Sequence, residues 1–308
     1  MTDTTLPPIA TPASRRLPWL GWTMALLATL AFSVVPPVGK AAIAQGVDST
    51  TLVMLRLTIA SVLLGGTMAI TAPQRLRIGR RSLWVCVASG LANGVGMLMF
   101  FFALTRIHAS ISSMIFSLNP LLTLALLALW GERFTYRNAI RLALGVAGVY
   151  LLIVPGGHVD WIGVLLAFGA VITAPIQVLS MQWYLQDADP MAVTFYTVAT
   201  MALVAAGGWL LQGVGWHTPV WQGWLLIGTL AVVSTYLSRL AMFVAVREIG
   251  GGQFSLLAPL EMLLTVIWSV MFLQERLSAW QWVGGGLILV SAVLAAQRWL
   301  RVRWKRQE

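Results

Sequence analysis

The sequence predicts an all-α polytopic membrane protein with ten transmembrane helices, arranged as two inverted five-helix repeats. Three observations predict this class. Of the 308 residues, 58% are hydrophobic and only 10% are charged, whereas soluble domains carry roughly 25% charged residues. Apolar runs recur along the chain at lengths close to the roughly 20 residues that cross a bilayer. The first half of the chain also resembles the second half.

Ten apolar runs are candidate spans, and short segments rich in turn-forming or charged residues separate them. Their predicted limits are 19–44, 50–71, 82–105, 109–130, 138–154, 161–184, 191–212, 221–246, 252–273 and 280–297. Residues 1–18 are polar and rich in Pro and Thr, so we expect a disordered cytoplasmic tail there. This tail lacks the apolar core of a cleavable signal peptide. Residues 298–308 are predicted to form a basic cytoplasmic tail.

The basic residues indicate how the chain is oriented in the membrane. Placing both termini in the cytoplasm puts 15 of the 20 Lys and Arg residues in cytoplasmic segments, as the positive-inside rule requires. Arg106 and Arg276 then fall in outer loops, and Lys40, Arg56 and Arg239 fall within spans. Lys40 and Arg56 lie in the outer third of their spans and are expected to snorkel. The net charge of +10 follows this pattern, so we expect no nucleic-acid partner.

Self-comparison of the chain indicates an internal duplication. Matching residues keep one order at offsets of 139 to 143: Leu26-Leu27-Ala28 with Leu165-Leu166-Ala167, Pro36 with Pro175, Asp48 with Asp187, Asn119 with Glu261, and Glu132-Arg133 with Glu275-Arg276. Each half holds five spans, an odd number, so the second half must be inserted upside down. Inverted repeats are typical of secondary transporters, which expose one central site alternately, although some pores also use them.

Motifs in both halves resemble those of a known family. They are Leu260-Glu261-Met262, Leu273-Gln274-Glu275-Arg276-Leu277-Ser278 and Trp282-Val283-Gly284 in the second half, and Arg56-Leu57, Leu118-Asn119-Pro120 and Gly131-Glu132-Arg133 in the first. The chain resembles the EamA repeats of the drug/metabolite transporter superfamily, although the usual Leu-Glu-Pro differs in both halves. It is most similar there to bacterial exporters of aromatic amino acids.

The resemblance implies both a fold and a function. Two EamA-like repeats are expected at residues 19–154 and 160–297. The expected location is the bacterial inner membrane. The expected function is export of amino acids by alternating access, with spans 1, 3, 4, 6, 8 and 9 lining a midplane cavity.

Polar residues within the spans are candidates for binding or coupling. Glu261 is the only acidic residue inside a predicted span, and an ionisable group in hydrocarbon costs at least about 2.5–3.5 kcal/mol. It should therefore face the bundle interior, either as a coupling-ion or amine site or as a structural ion pair with Arg239. Asn119 is the counterpart of Glu261 in the first half. The remaining polar candidates are Asn93, Gln177, Tyr196 and Tyr236.

Aromatic residues and prolines within the spans form a second group of candidates. An apolar cavity wall, with lipid contact as the alternative, is predicted for Phe32, Phe101, Phe243 and Trp268. Proline lacks an N–H group, so the carbonyls it frees must line a polar cavity or find a partner. Such kinks are predicted at Pro36, Pro120, Pro175 and Pro259. Sparse polar groups and aromatic walls suit a small zwitterion with an apolar side chain better than a sugar or a phosphate ester.

Other classes of protein are either excluded or left as alternatives. The single cysteine, Cys86, excludes an intramolecular disulfide framework and cysteine-based metal clusters, and we expect no cofactor. The chain has no P-loop, and His108, His158 and His217 fall in predicted outer loops, away from any intramembrane nucleophile. A passive pore and an exporter of cationic or apolar drugs remain open. The expected partners are an amino-acid substrate and the lipid bilayer, with a monomer as the simplest assembly.

Overall fold

The structure is a computed structural model that describes residues 18–76, 78–119, 121–122, 136–153, 160–184, 188–213, 218–249, 251–254 and 257–304. In these ranges every regular element is a helix, and no strand occurs. The all-α class is therefore confirmed. The predicted features that lie outside the described residues include the N-terminal tail up to residue 17, much of span four, and the Glu132-Arg133 motif that follows span four.

The described helices follow the predicted spans closely. The first half contains α1 (Pro18–Ser33), α2 (Val35–Ala44), α3 (Ser49–Thr71), α4 (Arg80–Arg106), α5 (Ala109–Phe116) and α6 (Tyr136–Ile153). The second half contains α7 (Trp161–Tyr184), α8 (Pro190–Gln212), α9 (Trp221–Ala231), α10 (Ser238–Ile249), α11 (Ala258–Leu273) and α12 (Ala279–Trp304). A π-helical segment, Val232–Leu237, joins α9 to α10, and a single helical turn at Gly251–Phe254 precedes α11.

Several of these helices are suited to crossing a membrane. By length and composition, five helical stretches among the described residues are long and apolar enough to do so: Trp19–Ala44, Ser49–Thr71, Arg80–Arg106, Met191–Gln212 and Trp221–Met242. Shorter apolar stretches occur in α6, α7, α11 and α12. Each predicted span overlaps at least one described helix, whereas the total of ten spans stays a prediction. Helix α12 continues to Trp304, past the predicted span end at residue 297.

Large apolar side chains cover the outside of the bundle. Ile70 is 86% exposed and Leu211 is 91% exposed, and other strongly exposed side chains include Trp84, Leu203, Trp221 and Phe272. Soluble monomers rarely expose large contiguous apolar patches. A bilayer is the solvent that suits such a surface.

Helices α3 and α8 begin at equivalent N-caps. The Asp48 carboxylate accepts hydrogen bonds from two backbone N–H groups in the first turn of α3, both at 2.9 Å. The Asp189 carboxylate does the same at the start of α8, at 2.9 and 3.3 Å. Such caps satisfy donors that have no partner within the helix. Asp48 therefore corresponds to Asp189, and the predicted pairing of Asp48 with Asp187 is wrong.

Two equivalent contacts join the halves, and the roles of the two halves are exchanged between them. A Cβ atom added at Gly21 of α1 would lie 2.5 Å from Ile249 Cγ2 at the end of α10. A Cβ atom at Gly163 of α7 would lie 2.7 Å from Ile107 Cγ2, just after α4. Gly163 follows Gly21 by 142 residues, and Ile249 follows Ile107 by 142 residues. The same contact therefore occurs twice, with the halves exchanged. The starts of α1 and α7 thus align at 142, and the offset of 139 predicted there is wrong.

Helices α6 and α12 touch backbone to backbone at a pair of glycines. A Cβ atom added at Gly284 would lie 2.6 Å from the Gly148 carbonyl oxygen and 3.1 Å from the Leu152 amide nitrogen. A Cβ atom at Gly286, on the same helix, would meet no atom within 4 Å. Glycine is therefore required at residue 284 for close approach and is not required at residue 286.

This difference predicts opposite effects of two matched substitutions. Gly284→Ala should lower the midpoint of thermal unfolding in detergent by several degrees, because overpacking costs about 1–3 kcal/mol. Gly286→Ala should leave the midpoint unchanged or raise it, because alanine favours a helix over glycine by about 0.5–1 kcal/mol. The measurement is thermal unfolding followed by size-exclusion chromatography. Equal shifts for the two variants would contradict the close contact of α6 with α12.

Candidate transport site between the two halves

The break between α1 and α2 is closed by side chains of the second half. Pro36 and Pro37 lie in the first turn of α2. Because Pro37 has no N–H group, the Ser33 carbonyl oxygen lacks its usual helical donor. The Thr265 hydroxyl of α11 lies 2.9 Å from this oxygen and 2.9 Å from the Glu261 carbonyl oxygen, and it can donate its one proton to either. Trp268 Nε1 also donates to the Ser33 hydroxyl at 3.1 Å. The partner expected for the freed carbonyl therefore comes from the other half.

Glu261 lies beside this break, in the first turn of α11. Span nine is itself interrupted, since α11 begins at Ala258 after the turn Gly251–Phe254, and Pro259 occupies the helix start, where proline is tolerated. The Glu261 side chain keeps part of its surface accessible. Within the described ranges it forms no ion pair with Arg239. The ion pair that would make Glu261 purely structural is absent from this conformation.

Arg56 is a functional candidate that the sequence argument missed. The expectation that Arg56 snorkels is wrong, because the residue is only 3% exposed. Its Nε donates to Thr235 Oγ1 at 2.7 Å, and its Nη2 donates to the Ser234 carbonyl oxygen at 3.3 Å. Its guanidinium carbon lies 5.6 Å from the centroid of the Phe101 ring. The cost of an ionisable group in hydrocarbon, which singled out Glu261, applies equally to Arg56 and could have identified it.

Lys40 also bonds to protein instead of extending freely to the interface. Its ammonium group donates to the carbonyl oxygens of Leu104 at 2.5 Å and Ile107 at 2.9 Å. These carbonyls lie at the C-terminal end of α4, where helices leave acceptors unpaired and favour cations. Lys40 therefore ties α2 to the end of α4.

Glu275 of the second half caps α5 of the first half. Its side chain is 4% exposed, and it accepts hydrogen bonds from the Ala109 N–H at 2.7 Å and the Ser110 N–H at 3.1 Å. The Ser110 hydroxyl also donates to it at 2.5 Å, and His108 Nδ1 lies 3.5 Å away. Burial raises the pKa of Glu275, but the hydrogen bonds from His108, Ser110 and Ala109 together hold that pKa below its ordinary value. The sequence identified Glu275 only as a marker of the repeat.

The other polar candidates find partners elsewhere in the bundle. Asn93 Nδ2 donates to a backbone carbonyl one turn earlier in its own helix, at 2.9 Å. The Tyr236 hydroxyl lies 2.7 Å from Thr67 Oγ1 and so links the π-helical segment to α3. The Tyr196 hydroxyl donates to the Leu76 carbonyl oxygen at 2.7 Å. These three side chains are therefore engaged in joining helices or in local bonding.

The aromatic candidates differ in their surroundings. Phe101 is fully buried and packs in the core beside the Arg56 guanidinium. Trp268 keeps part of its surface accessible and stacks on Phe272, with 5.7 Å between ring centroids. Phe32 and Asn119 are half-buried, and α7 is helical through Pro175. Pro120 and the side chains of Gln177 and Phe243 lie outside the described residues.

These features define a multi-pass membrane protein whose two halves meet through polar bonds within the spans. The chain belongs to the EamA-like transporter family, which matches it twice, at residues 19–154 and 161–297. The family resemblance inferred from the motifs is confirmed. Because this family consists of transporters, its match also supports the exclusion of an enzyme.

Curated relatives and a solved structure are similar to the chain over most of its length. An uncharacterized transporter of Bacillus subtilis (strain 168), YvbV, is 26% identical over 248 residues, which are 75% of this chain and 78% of the relative. The threonine/homoserine exporter RhtA of Escherichia coli (strain K12) is 26% identical over 270 residues, 86% of this chain and 85% of the relative. A crystal structure that is 18% identical in sequence aligns with a TM-score of 0.62. The alignment covers 92% of this chain and 98% of the chain in that structure, and it supports the fold alone.

Proposed function

We propose that this protein exports amino acids across the bacterial inner membrane by alternating access. Its membership of a transporter family gives the class, and the name of RhtA, a threonine/homoserine exporter, supports amino acids as the substrate class. Aromatic and other apolar amino acids are the proposed favourites, because the spans are rich in apolar and aromatic side chains. Sparse mid-span polar groups are enough to hold one zwitterionic head group.

One observation supports the mechanism: hydrogen bonds join the two halves within the spans. Arg56 of the first half donates to Thr235 of the second, and Thr265 of the second half can donate to Ser33 of the first. Hydrogen bonds of this kind can break and reform as two rigid halves rock against each other. A midplane cavity lined by spans 1, 3, 4, 6, 8 and 9 is therefore the proposed path.

The proposed topology has ten spans with both termini in the cytoplasm. It is supported by contacts between segments that it assigns to one side: Arg106 pairs with Asp160 at 2.7 Å, and His108 lies near Glu275. In a Cys86→Ser background, a cysteine replacing exposed Thr218 should react with an impermeant maleimide added outside intact cells. A cysteine replacing exposed Gln74 should react only after permeabilisation, and the reverse pattern would reject the topology.

The experiment that tests the function is a counterflow panel in proteoliposomes. Phenylalanine, tryptophan, leucine, threonine, homoserine, lysine and a quaternary ammonium drug are compared as counter-substrates. We expect saturable exchange with the neutral amino acids, foremost the aromatic ones. Competition by the drug alone would move the protein to drug export. Flux that neither saturates nor responds to counter-substrate would indicate a pore.

A further inference from the structure

The environment of Arg56 leaves part of its guanidinium unpaired. Two of the three nitrogen atoms bond to the π-helical segment, Nε to Thr235 and Nη2 to Ser234. The third, Nη1, is buried and has no hydrogen-bond partner among the described residues. A buried donor without a partner is rare in proteins and commonly marks a place where a ligand or a water binds.

The π-helical segment supplies a second unpaired donor at the same place. The Thr235 hydroxyl donates to the Leu230 carbonyl oxygen at 2.9 Å, so its oxygen is left to accept the bond from Arg56. The Ser234 hydroxyl is buried and finds no partner in the described part of the chain, while its own carbonyl contacts the guanidinium. Short π-helical segments within α-helices frequently occur at functional sites. Two unpaired donors, Arg56 Nη1 and Ser234 Oγ, therefore belong to two residues that contact each other.

The charge that the described residues place around these donors is positive. Arg239, at the start of α10, is a second cation close enough to act on Arg56. No carboxylate of the described ranges lies within ion-pair distance of Arg56. A guanidinium matches a carboxylate in shape and charge, and such charge-assisted bonds are about twice as strong as neutral ones. The site therefore has the chemistry of a carboxylate receptor.

We propose that Arg56 Nη1 and the Ser234 hydroxyl bind the carboxylate group of the transported solute. This inference rests on the proposed function and extends it, because it assigns the recognition of one substrate group to two residues of opposite halves. Both atoms are shielded from solvent in this conformation, so the carboxylate enters when the halves separate. Arg56 contributes the ion pair and Ser234 a neutral hydrogen bond.

The test compares acids with their uncharged amides. L-Phenylalanine and L-threonine are compared with their carboxamides as competitors of counterflow, and phenylacetate is compared with phenylacetamide in thermal unfolding of the purified protein. For the wild type, each acid should act at concentrations at least tenfold lower than its amide. Arg56→Gln should abolish this preference, and Arg56→Lys, which keeps the charge but not the planar guanidinium, should reduce it. Ser234→Ala should weaken it about threefold, as expected for one neutral hydrogen bond.

A matched control separates recognition from folding. Ser269 carries another buried hydroxyl without a partner among the described residues, and Ser269→Ala should keep the full preference for acids. If the Arg56 variants do not fold, the acid preference of Ser234→Ala alone tests the proposal. A preference for acids that is undiminished in Arg56→Gln or in Ser234→Ala, or that is absent from the wild type, would overturn the receptor.

The same experiment distinguishes failure of the receptor from failure of the proposed function. Stabilisation by phenylacetate that depends on Arg56, without counterflow of any amino acid, would keep the receptor and reject amino-acid transport. Counterflow of amino acids with a preference for acids that does not depend on Arg56 would support amino-acid transport and reject the receptor.

Discussion

Glu275→Ala is expected to reduce counterflow at least tenfold and to lower the midpoint of thermal unfolding. The substitution removes the acceptor for the N–H groups of Ala109 and Ser110 and for the Ser110 hydroxyl. Each buried donor left unpaired costs about 1–3 kcal/mol. Glu275 and α5 belong to opposite halves. The substitution therefore destabilises the conformation in which the outer ends of the two halves are in contact. About 3 kcal/mol would shift such an equilibrium more than a hundredfold.

Variants of the same residue separate its charge from its shape. Glu275→Gln keeps one acceptor oxygen and should cause an intermediate loss, whereas Arg276→Gln, next to it but exposed, should behave like the wild type. Normal counterflow in Glu275→Ala would show that the cap is not part of the transport cycle.

The cap should also make stability depend on pH. The pKa of Glu275 is lowered in the folded protein, so its stabilising effect is complete above the ordinary glutamate pKa of about 4.3. It is lost as the pH falls through the lower folded value. The difference in unfolding midpoint between wild type and Glu275→Gln should therefore be largest near neutral pH and shrink in acid.

Hydropathy and repetition predicted most of the fold because both are local or periodic properties of the chain. Apolar runs gave helix positions to within a few residues, and the motif at Glu275 correctly indicated the family. The alignment of the halves was less accurate. Asp189, not Asp187, matches Asp48, because loop residues can be inserted without changing the helix that follows. Asp187 shares only its residue type with Asp48, whereas Asp189 shares its capping contact. The shared contact identifies the equivalent residue.

The site was predicted less well because its contacts join residues far apart in sequence. The position of Arg56 near the outer end of span two suggested snorkelling, and only the π-helical segment of the other half shows why it turns inward. The sequence also left open whether Glu261 pairs with Arg239, for a related reason. Similar depth in two spans does not fix the rotation of either helix about its axis.

Glu261 has the properties required of a group that exchanges protons during transport. It is the only acidic residue within a predicted span, and it lies in the first turn of α11, beside the cross-half bond from Thr265 to Ser33. It forms no ion pair with Arg239 within the described ranges and keeps part of its surface accessible. A carboxylate held in an ion pair with a cation could not release and take up protons during a cycle. Glu261 is not held by Arg239 in this way.

Glu261→Gln is therefore expected to separate proton coupling from substrate movement. Glutamine preserves the size and polarity of the side chain but cannot exchange a proton. Transport driven by a proton gradient should fall at least tenfold, while counterflow, which needs no gradient, should stay within twofold of the wild type. Glu261→Asp retains an acid and should keep a measurable driven component. Both activities are measured in the same proteoliposomes. Gradient-driven transport that is unchanged in Glu261→Gln would leave Glu261 with a structural role, because its carboxylate would then not carry the proton.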